Sequence, residues 1–199
     1  MNSEHRKVNS YLTIAKRGIR ILLYCSLFAV SCSLSAHAQS RDYLTDEEIE
    51  LIRDGQQIDL RIDILTKAID RRFAVLKIDV GGAKISSKES DKWGKAPEGT
   101  RIELLADIKN ILQKAIDDID NLSSRPDSMV IDPDAKDKKP KGFSDLFPKA
   151  VRKLAAAAER YKAPLNAALE TTKDEREKGI LMDSIEMCTD IIASVSKLK

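Results

Sequence analysis

The chain has 199 residues, with 34 basic and 32 acidic side chains, a formal net charge of +2, 42% apolar residues and only 5% aromatic ones. That balance lacks the broad basic field that gathers phosphates, so it argues against nucleic-acid binding. Three cysteines and two histidines leave little material for a disulfide scaffold or a metal centre.

The first forty residues differ from the rest. Arg6, Lys7, Lys16, Arg17 and Arg20 form a basic stretch, no charge occurs from Ile21 to Ser40, and the apolar run is ILLYCSLFAV. Ala36-His37-Ala38 then offers the small-x-small pattern read by signal peptidase, so residues 1–38 read as a signal peptide cleaved after Ala38, with Gln39 as the new N-terminus. Two alternatives compete. Ala29-Val30-Ser31-Cys32 resembles a lipobox, with Cys32 as the lipidated residue. The uncharged stretch also nears the roughly 20 residues of an uncleaved spanning anchor, although its serines suit that role poorly.

Cleavage after Ala38 removes His5, His37, Cys25 and Cys32, leaving 29 basic and 31 acidic residues, a net charge of −2. The remaining Cys188 cannot make an intrachain disulfide and reads as a small apolar residue on a helix face. Residues 39–199 are of single-domain length.

Their pattern predicts an all-α fold: a single helical bundle of four long amphipathic helices, one short N-terminal helix and two long irregular loops. Thr45-x-x-Glu48, Thr100-x-x-Glu103 and Thr172-x-x-Glu175 read as capping boxes. Leu44 and Ile49 add a hydrophobic staple to the first. The short helix covers about Asp46 to Asp54, with Gly55 as its stop. The second covers about Gln56 to Lys77, with Ile58, Ile62, Leu65, Ile69, Phe73 and Leu76 on one face. The third covers about Arg101 to Ser123, with the stripe Leu105, Ile108, Leu112, Ala115, Ile119 and Leu122.

The fourth helix begins near Ser144 or Pro148 and carries Phe147, Val151, Leu154, Ala158, Tyr161, Leu165 and Ala168. Pro164 should kink it or cut it short. The alanines from Ala155 to Ala158 allow a close neighbour. The fifth runs from about Lys173 to Leu198 on Leu181, Ile185, Cys188, Ile192 and Val195, and the short connection predicts an antiparallel hairpin with the fourth. Residues 78–99 and 124–142 read as loops. Trp93 pins the first loop onto the bundle, and short strands at 77–80 and 129–131 are conceivable pairing partners.

The search for chemistry identifies no catalytic, cofactor-binding or metal-binding residues. Without a histidine after position 38 there is no Ser-His-Asp or Cys-His pair, no Glu-x-x-His and no histidine zinc site. Phosphate-cradling glycine motifs are missing. Asp132, Asp134 and Asp137 lack the glycine and distal glutamate of an EF-hand and sit among lysines. Asp117, Asp118 and Asp120 read as a solvated acidic face, while Asp63–Lys67 and Asp174–Lys178 read as local helix pairs.

These readings favour an exported, non-enzymatic helical protein with a macromolecular interaction or structural role in the cell envelope, in the periplasm or secreted. Membrane contact is expected only through the N-terminal segment, transiently or as a lipid or helix anchor. A small-ligand or lipid carrier, with its pocket in the bundle core or at the Trp93 loop, is the alternative. An enzyme built on carboxylates alone stands third.

Overall fold

A computed structural model describes residues 41–82, 85–125 and 142–198. The described chain is all-helical: α1 (Asp46–Asp54), α2 (Ile58–Val75), α3 (Ser87–Trp93), α4 (Arg101–Ser124), α5 (Phe143–Thr171), α6 (Glu175–Ser194) and a final 3-10 turn (Val195–Lys197). α3 corrects the expectation that residues 78–99 form one irregular loop. Its N-cap is Ser86, and Glu89 Oε2 accepts from the Ser86 amide at 3.4 Å. Residues 77–80 form no strand; 129–131 lie outside the described residues.

Two of the three expected capping boxes form. Thr45 accepts from the Glu48 amide at 3.3 Å, and Glu48 accepts from the Thr45 amide at 3.1 Å. Thr100 and Glu103 repeat the exchange at 3.3 and 2.6 Å. The third is corrected. Asp174, not Thr172, caps α6, accepting from the amides of Arg176 and Glu177 at 2.8 and 3.1 Å. The Asp174 carboxylate serves two helix amides, whereas the Thr172 hydroxyl accepts only from the Asp174 amide.

At the other end of α2, Ile78 N bonds Phe73 O at 2.9 Å and Lys77 N bonds Ala74 O at 3.1 Å. This is the Schellman arrangement, with Lys77 at a φ of 59° where glycine is the usual choice. α5 ends at neither Pro148 nor Pro164 but continues to Thr171, so the expected early stop at Pro164 does not occur.

Packing closes a ring of four long helices: α2 lies on α4 and α5, and α6 lies on both of them as well. Arg101–Glu177 and Lys109–Asp183 hold α4 and α6 parallel. α5 and α6 turn back on each other through Thr172–Asp174. Ile62, Leu65, Ile69 and Phe73 of α2, Ile108, Ile111 and Leu112 of α4, and Leu181 and Cys188 of α6 are fully buried. Each such Leu or Ile contributes roughly 1.5–3 kcal/mol of apolar burial before ordering entropy is subtracted. Ala150, Ala157 and Ala158 are almost fully buried as well, which lets neighbours approach α5 closely.

α2 and α5 run parallel in constant register. Asp59 meets Lys149 at 2.5 Å, Asp63 pairs with Lys153, and Asp70 meets Arg160 at 3.4 Å, each across 90 residues of sequence. The local pairs expected from sequence give way to these. Lys67 instead binds Glu89 at 3.3 Å, and Lys178 binds Glu175 at 2.7 Å. For Asp63 and Lys67 a partner on a neighbouring helix displaces the i,i+4 contact, which is worth only about 0.2–0.5 kcal/mol; for Asp174 the capping of α6 does so, and Lys178 turns to Glu175 on its own helix.

A second polar assembly docks α1. Glu48 is fully buried and receives Arg72 in fork geometry, both contacts at 2.7 Å, plus Arg71 at 2.6 Å. Arg72 also donates to the carbonyls of Ala68 and Tyr43, and its Nε lies 3.7 Å from Asp107 Oδ2. The Arg71 guanidinium stacks 5.4 Å above Trp93, which is 4% exposed, so the tryptophan pins its segment as expected. Gly94 follows with φ 61° and ψ −157°, a conformation nearly confined to glycine.

Candidate binding cleft

The late turns of α4 and α6 and the early turns of α5 meet at one end of the bundle. There they leave an apolar cleft of about 350 Å³. α4 contributes Ile116 and Ile119, α5 contributes Phe147, Val151 and Leu154, and Ile191 and Leu198 complete the apolar walls. Amphipathic periodicity explains these positions: Ile119, Val151, Leu154 and Ile191 belong to the buried stripes of their helices, and the partly exposed Ile116, Phe147 and Leu198 flank them. Phe143 stacks on Phe147 with ring centroids 4.8 Å apart, stiffening the start of α5. Asp120, Asp190 and Lys197 also line the cleft, and all three are exposed. A cleft of this kind orients an apolar body and presents charge to whatever polar end it carries.

No family model, curated protein or solved structure matches the chain.

A second cleft, about 450 Å³, lies between α2 and the segment after it, with Lys67, Asp70, Arg71, Lys77 and Asp79 in its lining. Its centre is Asp70. The Tyr161 hydroxyl lies 2.8 Å from Asp70 Oδ1 and 3.1 Å from the Thr66 carbonyl. Burial lifts the Asp70 carboxyl above its ordinary range, and the Tyr161 and Arg160 hydrogen bonds offset only part of that. Burial, then the Asp70 charge, pushes the Tyr161 phenol well up. Arg160 also donates to the Val80 carbonyl at 3.1 Å. Gly82 approaches so closely that a Cβ there would collide with the Asp70 carboxylate. This arrangement clasps the 78–82 segment to the bundle. A carboxylate enzyme needs two acids with separated proton affinities. Asp70 is already held by a phenol and a guanidinium, and Asp79, exposed on the rim, accepts from the Gly81 amide at 2.9 Å.

Ala38, where cleavage is expected, Cys32, the alternative expected for lipidation, and residues 132–137 lie outside the described residues. Among the described residues, no helix is long and apolar enough to cross a membrane, and no group of three or more His, Cys, Asp or Glu side chains could hold a metal ion. Cys188 is buried in the core, where burial pushes its thiol up to about 12. The acidic trio divides. Asp117 accepts from Gln113 at 2.8 Å, Asp118 pairs with Lys114 at 3.3 Å, and Asp120 turns to the cleft.

Sequence reading anticipated the core stripes that become the cleft walls but not the cleft itself. Ile116 lies outside the expected stripe of α4, and Leu198 lies at the end of the last helix expected. The one signal available was the apolar Phe143–Phe147 pair ahead of Pro148.

Proposed function

We propose that this chain is an exported, non-enzymatic helical binding protein whose end cleft carries a small apolar ligand. The observation that carries the reading is the cleft itself: an apolar hollow of about 350 Å³ with charge only at its exposed edge. Ligand pockets run from about 300 to 1,000 Å³ and are built mainly from apolar side chains with a few polar groups. The buried acids Glu48 and Asp59 are held in ion pairs, Glu48 by Arg71 and the buried Arg72, and Asp59 by the half-exposed Lys149, which supports a scaffold that binds.

Export to the periplasm or outside the cell follows the signal-like N-terminus, with Cys32 lipidation or a retained anchor as the competing fates. The broader reading, a macromolecular or structural role in the envelope, would use the outer helix faces. Leu60, Val75 and Met182 are the large apolar side chains exposed there. They stand on α2 and α6, which do not pack together, and single exposed apolar residues are ordinary.

Native mass spectrometry of protein purified without detergent tests the carrier reading. We expect a bound small molecule that is released on denaturation and lost in Ile116→Trp, which fills the cleft. Protein that arrives empty and binds no apolar probe refutes it. Intact mass with N-terminal sequencing tests export: Gln39 is expected as the first residue, and an unprocessed Met1 refutes the cleaved form.

A further inference from the structure

The cleft has a sign as well as a shape. Among the described residues its edge carries the carboxylates of Asp120 and Asp190 against the single ammonium of Lys197. Neither carboxylate has a hydrogen bond or ion pair among the described residues, in contrast to Asp117 and Asp118 one turn earlier.

The backbone adds to that charge. α4 and α6 both end here, and neither has a basic residue in its last turn. Each helix C-terminus carries about half a negative charge; Arg125 caps α4 and Lys197 closes the 3-10 turn after α6, the one basic residue following each end among the described residues. α5 begins at the same end, but Asp145 in its first turn opposes its positive pole. Of the nearby cations, Lys114 is paired with Asp118 and Arg125 reaches Asn121. An anionic headgroup would meet net repulsion at this edge, and a cationic one net attraction.

We propose that the cleft binds a cationic amphiphile: one apolar chain lying against Ile116, Phe147, Val151 and Leu154, with an amine held by Asp120 and Asp190. The volume of about 350 Å³, at the lower limit for ligand sites, suits a single chain rather than a two-chain lipid. This assignment rests on the carrier reading and adds the headgroup to it.

Isothermal titration of the full chain with decylamine, decanoate and decyl maltoside, all below micellar concentrations, tests it. The expected result is saturable one-to-one binding of decylamine, at least tenfold tighter than decanoate, with the neutral glycoside between them. In Asp120→Asn/Asp190→Asn the amine preference should fall to within threefold, while decyl maltoside still binds. Both residues are exposed, so this variant should keep its fold, which circular dichroism checks. Equal binding of amine and carboxylate, or a preference that survives the double substitution, overturns the cationic assignment but leaves the carrier reading standing. If none of the three probes binds, the carrier reading falls with it.

Discussion

Glu48 and Glu103 occupy the same position in two T-x-x-E capping boxes, yet the structure assigns them unequal work. Glu103 is exposed and closes its box with Thr100. Glu48 does the same for Thr45 while fully buried and bound by two arginines. Glu48→Gln keeps the side chain's shape but removes the carboxylate shared by Arg71 and Arg72, leaving Arg72, 1% exposed, with only Asp107 at 3.7 Å as a counter-charge among the described residues. Unit charges about 4 Å apart attract by about 4 kcal/mol at an effective dielectric of about 20. Removing one member of a buried pair typically costs about 3–5 kcal/mol. We therefore expect Glu48→Gln to cost about 3–5 kcal/mol and the exposed Glu103→Gln less than about 1 kcal/mol, because glutamine still accepts from the Thr100 amide. Urea unfolding followed by circular dichroism reads both, with comparable m values needed for the comparison. Equal costs for the two substitutions would show that the buried ion cluster adds nothing beyond capping, and the reasoning would fail.

Lys77→Gly should stabilise the protein by about 0.5–1 kcal/mol, because glycine relieves the φ of 59° at the Schellman position; a loss of stability in urea would contradict that. The Cys188 thiol, at about 12 in the fold against 9.0 when unfolded, corresponds to up to about 4 kcal/mol. That stability is fully present below pH 9 and lost as pH rises toward 12, so Cys188→Ala should show a shallower alkaline decline, and an unchanged slope would refute the assignment. Burial raises the Asp59 carboxyl, but the Lys149 hydrogen bond and charge, with Lys153, outweigh it and hold the group below 3.8. Its contribution is present above that pH and lost as pH falls through the lowered folded value. Asp59→Asn should therefore lower stability at pH 7 and flatten the acid limb of the stability curve; an acid limb as steep as the wild type's would refute it.

What sequence could and could not reveal divides by range. Helix starts rest on a hydroxyl and a carboxylate three residues apart, so Thr45 and Thr100 were legible. The same rule applied to Ser86 and Glu89 points to α3, a helix of only seven residues within 78–99, too short to show an apolar stripe. At Thr172 the rule misled, because Asp174 offers the better acceptor two residues later. The ion pairs failed for another reason. Asp59, Asp63 and Asp70 share the spacing of Lys149, Lys153 and Arg160, a match that matters only once α2 and α5 are known to be parallel neighbours. The cleft exists only where the ends of three helices come together, and no local pattern encodes that.

The parallel seating of α2 against α5 has a consequence in time. Its three acid–base rungs each join residues 90 apart. At about 5–20 residues per second, α2 leaves the ribosome roughly 5–18 s before the partner that covers it. During that interval Ile62, Ile69 and Phe73 have no α5 to cover them. The α5–α6 hairpin, joined by a short turn, has no such delay between its two halves.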